Sequence, residues 1–495
     1  MFKPTEEQEK IVEAARGSAS LMINAYAGTG KTSTLQLLAP QASRDYALAL
    51  AFNKSIATEL SKRFPGNYKV QTLNALGFAA LRRVLPQMEL DARKLTRLAR
   101  EMGLIGDEAD EIKELTSLAM MRGIVPTEFG VEGLTEDSFE EWNDLGALPP
   151  TLEGIENAKE LLARGIREGL KGVISFDDQI YLPLFFGGKF PRYGTVLIDE
   201  SQDLSPLNHL QLARVAGGRI ISVGDVRQAI YAWRGADAKS MENIKQLKPE
   251  WIELPLTTTF RCPKVIVARA RAHAPGFNAL ASAPEGEVSD LGGKEWRWGQ
   301  VEEIRAKLSQ KSAGASSLAI LCRNNAPLIT MALRLLAQQI PAKVLGRDIG
   351  AQLSKLSKKL APEDSCSSQE LMRRILEWKE TQVSISEANE DGRASGIEDR
   401  ADSLIAIASS VRDAGELRRI LAKIFDDEKS SGVLLSSIHK AKGREWDVVV
   451  HLDPHRCPSP WARSKEAKDQ ERNLLYVCET RTKHTLLELR LEDFR

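Results

Sequence analysis

The apolar run Leu21-Met22-Ile23 breaks at Asn24 into AYAGTGKT, Ala25 to Thr32, and then continues as the helix-patterned TSTLQLLA. Few short stretches constrain a fold as tightly. Small residues let backbone N–H groups curl around an anion, and a helix that starts there points the positive end of its dipole at the same place. The stretch fits G-x-x-x-x-G-K-[ST] at all but one position, with Ala25 where the first glycine usually stands. This pattern predicts a strand, a phosphate-cradling loop of Ala27, Gly28, Thr29, Gly30, Lys31, Thr32 and Ser33, and a helix beginning near Thr32. Lys31 then reaches the β- and γ-phosphates of a nucleoside triphosphate such as ATP, and the Thr32 hydroxyl ligates Mg²⁺.

Such a loop needs a metal-holding carboxylate and a base for the attacking water. TVLIDESQD supplies both, since Thr195 to Ile198 reads as a buried parallel strand ending in Asp199-Glu200. Asp199 is the candidate Mg²⁺ ligand and Glu200 the candidate base. A third strand, RIISVGD, ends at Asp225 and runs into VRQAIYAWRGA. There Gln228 is placed to sense a γ-phosphate, and Tyr231 and Trp233 are candidates for stacking on bases. A tryptophan more often packs in a core, but the polar flank of Arg234 and Gly235 favours the stacking role.

At 495 residues the chain is too long for one hydrophobic core, so two to four domains are expected. Hydrophobic residues at 42% and charged residues at 27% fit a globular protein. No apolar run approaches a membrane span, and MFKPTEEQEK lacks the apolar centre of a secretory signal, which points to the cytosol. Lys plus Arg equals Asp plus Glu at 68 each, so nucleic acid would be met by a local groove rather than a wholesale basic surface. Cys262, Cys322, Cys366, Cys457 and Cys478 show no CxxC spacing, which argues against a zinc knuckle or a disulfide framework.

The ordered set of motifs resembles the superfamily 1A helicases of the UvrD/Rep/PcrA type, across nearly the whole chain. PTEEQEKIV is similar to the family's adenine-reading segment, which assigns Gln8 to the base. ALAFNKSIATEL is similar to motif Ia and implies strand contacts by Phe52, Asn53 and Lys54. VQTLNALGFAALRRV resembles motif Ib, with Thr72-Leu73-Asn74 in place of Thr-Phe-His, so Thr72 and Asn74 take the strand track without the usual aromatic and imidazole. VISFDDQIYLPL resembles the segment that re-enters the first motor domain. LTTTFRCP resembles motif IV, implying that Phe260 stacks on adenine and that Arg261 meets the γ-phosphate. VLLSSIHKAKGREWDVVV resembles motif V, with His439 and Lys442 on the strand and Glu445 on the ribose. ERNLLYVCETRTKHTLLEL resembles motif VI and nominates Arg481 as the arginine finger.

The resemblance implies an α/β protein with two RecA-like parallel-sheet motor domains and a helical insertion in each. The expected division is 1–84 plus 172–260 for motor domain 1A, 85–171 for insertion 1B, 261–349 plus 432–495 for motor domain 2A, and 350–431 for a reduced insertion 2B. Charged helices such as LDARKLTRLAREMG in 1B present either a solvated face or a nucleic-acid face. The polar SEANEDGRASGIEDR in 2B predicts a mobile joint between helices, and no nuclease segment follows motif VI. The implied activity is ATP-driven 3′ to 5′ translocation on single-stranded DNA, or at a junction with duplex. Alternatives are a motor subunit of a helicase–nuclease or repair complex, or a DNA-binding scaffold with weak turnover.

Overall fold

Strands buried on both faces read as unbroken apolar runs, as in LMI, ALALA, TVLI and LAILC, and with more polar edge strands they pair in parallel into two six-stranded sheets. The computed structural model describes residues 4–143, 145, 151–230, 237, 239–311, 316–388, 394–425 and 432–495. The chain divides into two compact units, Met1–Thr257 and Thr258–Arg495, each holding one of the sheets. The α/β class and the pair of RecA-like sheets are therefore as expected. Among the described residues no helix is long and apolar enough to cross a membrane.

In the first unit the strand order is Tyr68–Thr72, Ala47–Ala51, Tyr193–Ile198, Ala216–Gly224, Ser20–Ala25 and Trp251–Leu256. The strand feeding the phosphate loop and the strand ending in the acids thus flank Ala216–Gly224 on opposite sides, with Asn24 in register with Gly224 and Ile198 with Ser222. A Cβ at Gly224 would stand 2.6 Å from Ser201 Oγ and 2.7 Å from Met241 Sδ. Only glycine lets the acidic turn pack over that strand end.

Helices Lys94–Glu101, Gly106–Arg122 and Leu152–Leu170 form the insertion of this unit. They are not a separate body, because Leu98, Ile112 and Leu161 share one core with Leu81, Ile180 and Leu207 of the sheet-bearing part. A buried ion pair at 2.7 Å, Lys94 to Asp178, joins the two parts.

The second sheet runs Glu287–Asp290, Thr482–Leu489, Trp446–Leu452, Leu318–Cys322, Val433–Ser437 and Ala342–Val344. Its insertion consists of helices Arg347–Leu360, Ser368–Ala388, Ala394–Ala408 and Ala414–Ile424. Leu353, Leu371, Leu404 and Leu417 pack into the same cluster as Leu328, Leu335, Leu435 and Val448. Of the polar joint expected over 386–400, residues up to Ala388 and from Ala394 are helical, and residues 389–393 lie outside the described residues. The helix from Ala394 holds despite its polar composition because it buries an apolar stripe of Ala394, Ile397 and Ala401.

Candidate functional site

The phosphate loop is shaped by backbone conformations that L side chains avoid. Gly28 and Gly30 have φ of 69° and 78°, and Gly30 is the N-cap of helix Lys31–Ala42. Thr29 Oγ1 donates to Tyr26 O at 2.9 Å and closes the curl. Four of the nominated side chains meet at its mouth. Lys31 Nζ lies 2.9 Å from Glu200 Oε2, and Thr32 Oγ1 donates to Asp199 Oδ2 at 3.2 Å.

Burial would lower the pKa of Lys31, but the charges of Glu200, Asp225 and Asp199 outweigh it and hold the ammonium above its ordinary value. Burial, reinforced by the neighbouring Glu200 charge and opposed by Lys31, pushes Asp199 up to about 6. Burial also raises Asp225. Three carboxylates around one ammonium leave local negative charge that a cation is suited to balance. Glu200 has φ +53°, a left-handed conformation costing a non-glycine residue roughly 1–2 kcal/mol, and this turns its carboxylate back toward Lys31.

A residue whose role was not apparent from the sequence, Gln202, ties this turn together. Its Nε2 donates to Glu200 Oε2 at 2.8 Å and to Asp203 Oδ2 at 3.0 Å, while its Oε1 accepts from the Asp225 amide at 2.9 Å. Gln228, the nominated phosphate sensor, is buried and donates to Asp225 Oδ2 at 2.6 Å. Gln8, nominated for the base, is fully buried. Its Oε1 accepts from Thr5 N at 3.1 Å and its Nε2 donates to Thr34 Oγ1 at 3.0 Å, so here it caps helix Glu6–Ala14 and ties it to the helix after the phosphate loop. Ala27 is buried in the loop and Ser33 is exposed on the first helical turn.

At the carboxyl ends of strands Ala47–Ala51 and Tyr68–Thr72 the nominated strand-binding residues come together. Phe52 is 49% exposed and follows Ala51, the register partner of Thr72. The side chains of Asn53 and Thr72 accept from Ile56 N and Ala75 N as helix caps, and Lys54 is exposed. Asn74 Nδ2 donates to Phe176 O at 3.1 Å. Phe176, 54% exposed, is an aromatic that the sequence reading passed over, although FDDQ after a short apolar run marks an aromatic at a strand end. Tyr231 and Trp233 lie outside the described residues.

In the second unit Arg261 pairs through Nε with Glu445 and donates from Nη1 to Thr480 O at 3.4 Å. Burial pushes Glu445 up, but Arg261 and Lys483 outweigh it and hold this carboxyl below its ordinary value. Arg481 is only 1% exposed; its Nε donates to Val477 O at 3.1 Å and its Nη1 to Arg444 O at 3.2 Å. Arg269 binds both Glu479 and Glu488, so the segments bearing Arg261 and Arg481 are clamped to each other. Phe260 is 36% exposed, and His439 and Lys442 are half-buried at the helical turn Ile438–Ala441.

Among the described residues no group of three or more His, Cys, Asp or Glu gathers as a metal cage. One hydroxyl and one carboxylate, Thr32 and Asp199, with phosphate oxygens completing the shell, is the donor set Mg²⁺ favours. A glycine-curled loop, its lysine and a paired acidic strand end define a P-loop nucleotide-binding protein on a RecA-like sheet.

Residues 190–249 match the UvrD/REP helicase N-terminal domain and residues 432–487 the UvrD-like helicase C-terminal domain. The chain is 28% identical over 523 residues to the F-box DNA helicase protein 1 of Schizosaccharomyces pombe, covering 98% of this chain and 57% of that protein. It is 25% identical over 526 residues to the F-box DNA helicase 1 of Gallus gallus, covering 98% and 49%. It is also 25% identical over 331 residues to the ATP-dependent DNA helicase UvrD2 of Mycobacterium tuberculosis, covering 59% and 46%. The chain thus spans about half the length of the curated relatives it matches. In both matched segments and in its paired parallel sheets the chain is similar to the UvrD-like helicases.

Proposed function

We propose that this chain is an ATP-dependent DNA helicase motor that moves along single-stranded DNA, with the 3′ to 5′ polarity that its resemblance implies. The observation that carries this is the meeting of Lys31, Thr32, Asp199 and Glu200 at one loop mouth. The loop amides and Lys31 would hold the triphosphate, and Thr32 and Asp199 would hold Mg²⁺, which when bound neutralises phosphate charge. Glu200, released from Lys31 once phosphates take that ammonium, is positioned to accept a proton from the attacking water. Phe52 and Phe176 offer the sequence-tolerant stacking faces that a strand track needs. In the second unit, Arg261, Phe260, Glu445 and Arg481 take the nucleotide roles, and His439 and Lys442 the strand roles, that the resemblance implies.

ATP hydrolysis measured alone and with single-stranded DNA, single-stranded RNA, and duplexes bearing 3′ or 5′ overhangs tests the proposal. Strand-stimulated turnover, greatest with single-stranded DNA or a 3′ overhang, is expected. Turnover indifferent to any strand would overturn the motor reading.

A further inference from the structure

In a parallel sheet every strand starts on the same edge, so the residues that precede the strands gather on the side away from the phosphate loop. In the first unit that edge is basic and carries an exposed aromatic. Tyr46 stands just before strand Ala47–Ala51 and is 59% exposed, with its ring against Tyr193 at 5.6 Å between centroids. Phe52 follows the same strand, so one strand has an exposed aromatic at each end, roughly 20 Å apart.

Four cations are anchored along this edge. Arg83 Nη1 donates to Lys189 O at 2.8 Å, and its charge acts on the Tyr193 hydroxyl, which burial lifts above its ordinary value against the pull of Arg83. Arg192 precedes Tyr193, and its Nε lies 3.6 Å from where a Cβ would stand at Gly217. Lys248 Nζ donates at 2.8 Å to the carbonyl of Ala216, the register partner of Tyr193. Burial, reinforced by the Arg192 charge, holds this ammonium below its ordinary value. Among the described residues none of Arg83, Lys189, Arg192 and Lys248 pairs with a carboxylate. The acids that flank the same strand starts, Asp45 and Glu250, are exposed and enter no ion pair with them. In a chain whose charges balance at 68 of each sign, an unneutralised cluster of this kind attracts an anion.

We propose that this edge is a second site for single-stranded nucleic acid, with phosphates held by Arg83, Lys189, Arg192 and Lys248 and a base stacked on Tyr46, separate from the track at Phe52. A polymer that alternates phosphates with flat bases matches cations set beside one exposed ring. An acidic peptide would use the cations and leave the ring idle, and a duplex offers no free base face. The choice of polymer rests on the motor reading above.

The test is equilibrium binding of a fluorescent oligo-dT of about 10 nucleotides to the full chain, read as stoichiometry and as salt dependence, with oligo-U in parallel to distinguish RNA from DNA as the source. Two strands per chain are expected. The weaker should lose about fivefold or more in affinity in Tyr46→Ala, while Tyr46→Phe, which keeps the ring, should bind as the unmodified chain does. In the double variant Lys189→Gln, Arg192→Gln, the slope of log K against log salt for the weaker strand should be shallower by about 1.4. DNA-free ATP turnover should be unchanged in all three variants. One strand per chain, or a second strand indifferent to these substitutions, overturns the proposal. Poly-glutamate or a duplex of equal length that displaces the weaker strand as well as oligo-dT does also overturns it. Absence of strand-stimulated turnover in the unmodified chain overturns the motor reading instead, and leaves the stoichiometry to decide the second site.

Discussion

Lys31 and Glu200 form a 2.9 Å ion pair across a strand that carries neither of them. Asp199 and Asp225 face the same ammonium, so Lys31→Met removes the cation that holds three carboxylates together. Turnover is expected to fall at least about a hundredfold, as for the loss of a main phosphate-binding donor. Stability should respond to pH as well. A carboxyl whose folded pKa is raised, as Asp199 is from 3.8 to about 6, favours the fold when protonated, so its contribution is lost as pH rises through that window. Without Lys31 the window moves up. The drop in Tm caused by Lys31→Met should therefore be larger at pH 8 than at pH 5. Equal drops at the two values would mean that Lys31 does not screen these acids.

Gln202 hydrogen-bonds both to Glu200 and to the Asp225 backbone. Gln202→Ala leaves the Asp225 amide buried with its acceptor gone, a loss of about 1–3 kcal/mol. The chain should melt several degrees lower, and strand-stimulated turnover should fall more than nucleotide affinity does. Differential scanning fluorimetry with a steady-state kcat and KM split reads both, and an unchanged Tm with unchanged kcat would refute the bridging role.

The phosphate loop and the acidic strand end were legible because their chemistry is local: glycines where φ is positive, an apolar run for a buried strand, and carboxylates at its end. The central strands follow from such apolar runs, whereas edge strands such as Trp251–Leu256 and Glu287–Asp290 carry polar residues on exposed faces and gave no such signal. What stayed hidden depends on partners distant in sequence. Nothing in PTEEQ tells that Gln8 donates to Thr34, and nothing around Phe176 tells that its carbonyl meets Asn74. The helix that begins at Ala394 within the polar stretch 386–400 was hidden for the same reason, since Ala401 and Leu404 hold it against partners elsewhere.

Lys94 and Asp178 are both nearly inaccessible, and Asp178 also accepts from the Ser175 amide at 2.6 Å. Removing one member of such a pair strands a buried charge at a cost of about 3–5 kcal/mol. Lys94→Met is thus expected to lower Tm by about 6–20 °C in a unit of this size. Adding Asp178→Asn should recover part of the loss, because the stranded charge is gone. A double variant less stable than Lys94→Met alone would show that the ion pair is not what the single substitution broke.

The second insertion is welded to its sheet rather than hinged on it. Asp399, on helix Ala394–Ala408, accepts from Asn325 N at 3.0 Å, Asn325 Nδ2 at 2.8 Å and Ala326 N at 2.9 Å, capping the helix Asn325–Ala337 that follows the strand Leu318–Cys322. A carboxylate at a helix N-terminus with three donors is worth about 1–2 kcal/mol. Asp399→Ala should lower Tm by about 2–8 °C with turnover nearly unchanged. Replacing residues 350–425 by a short linker should do far more. It strips Leu353, Leu371, Leu404 and Leu417 from a core they share with Leu328 and Leu435, exposing the other half. Aggregation is the expected outcome; a soluble, cooperatively melting deletion variant would show that the insertion is a separable domain after all.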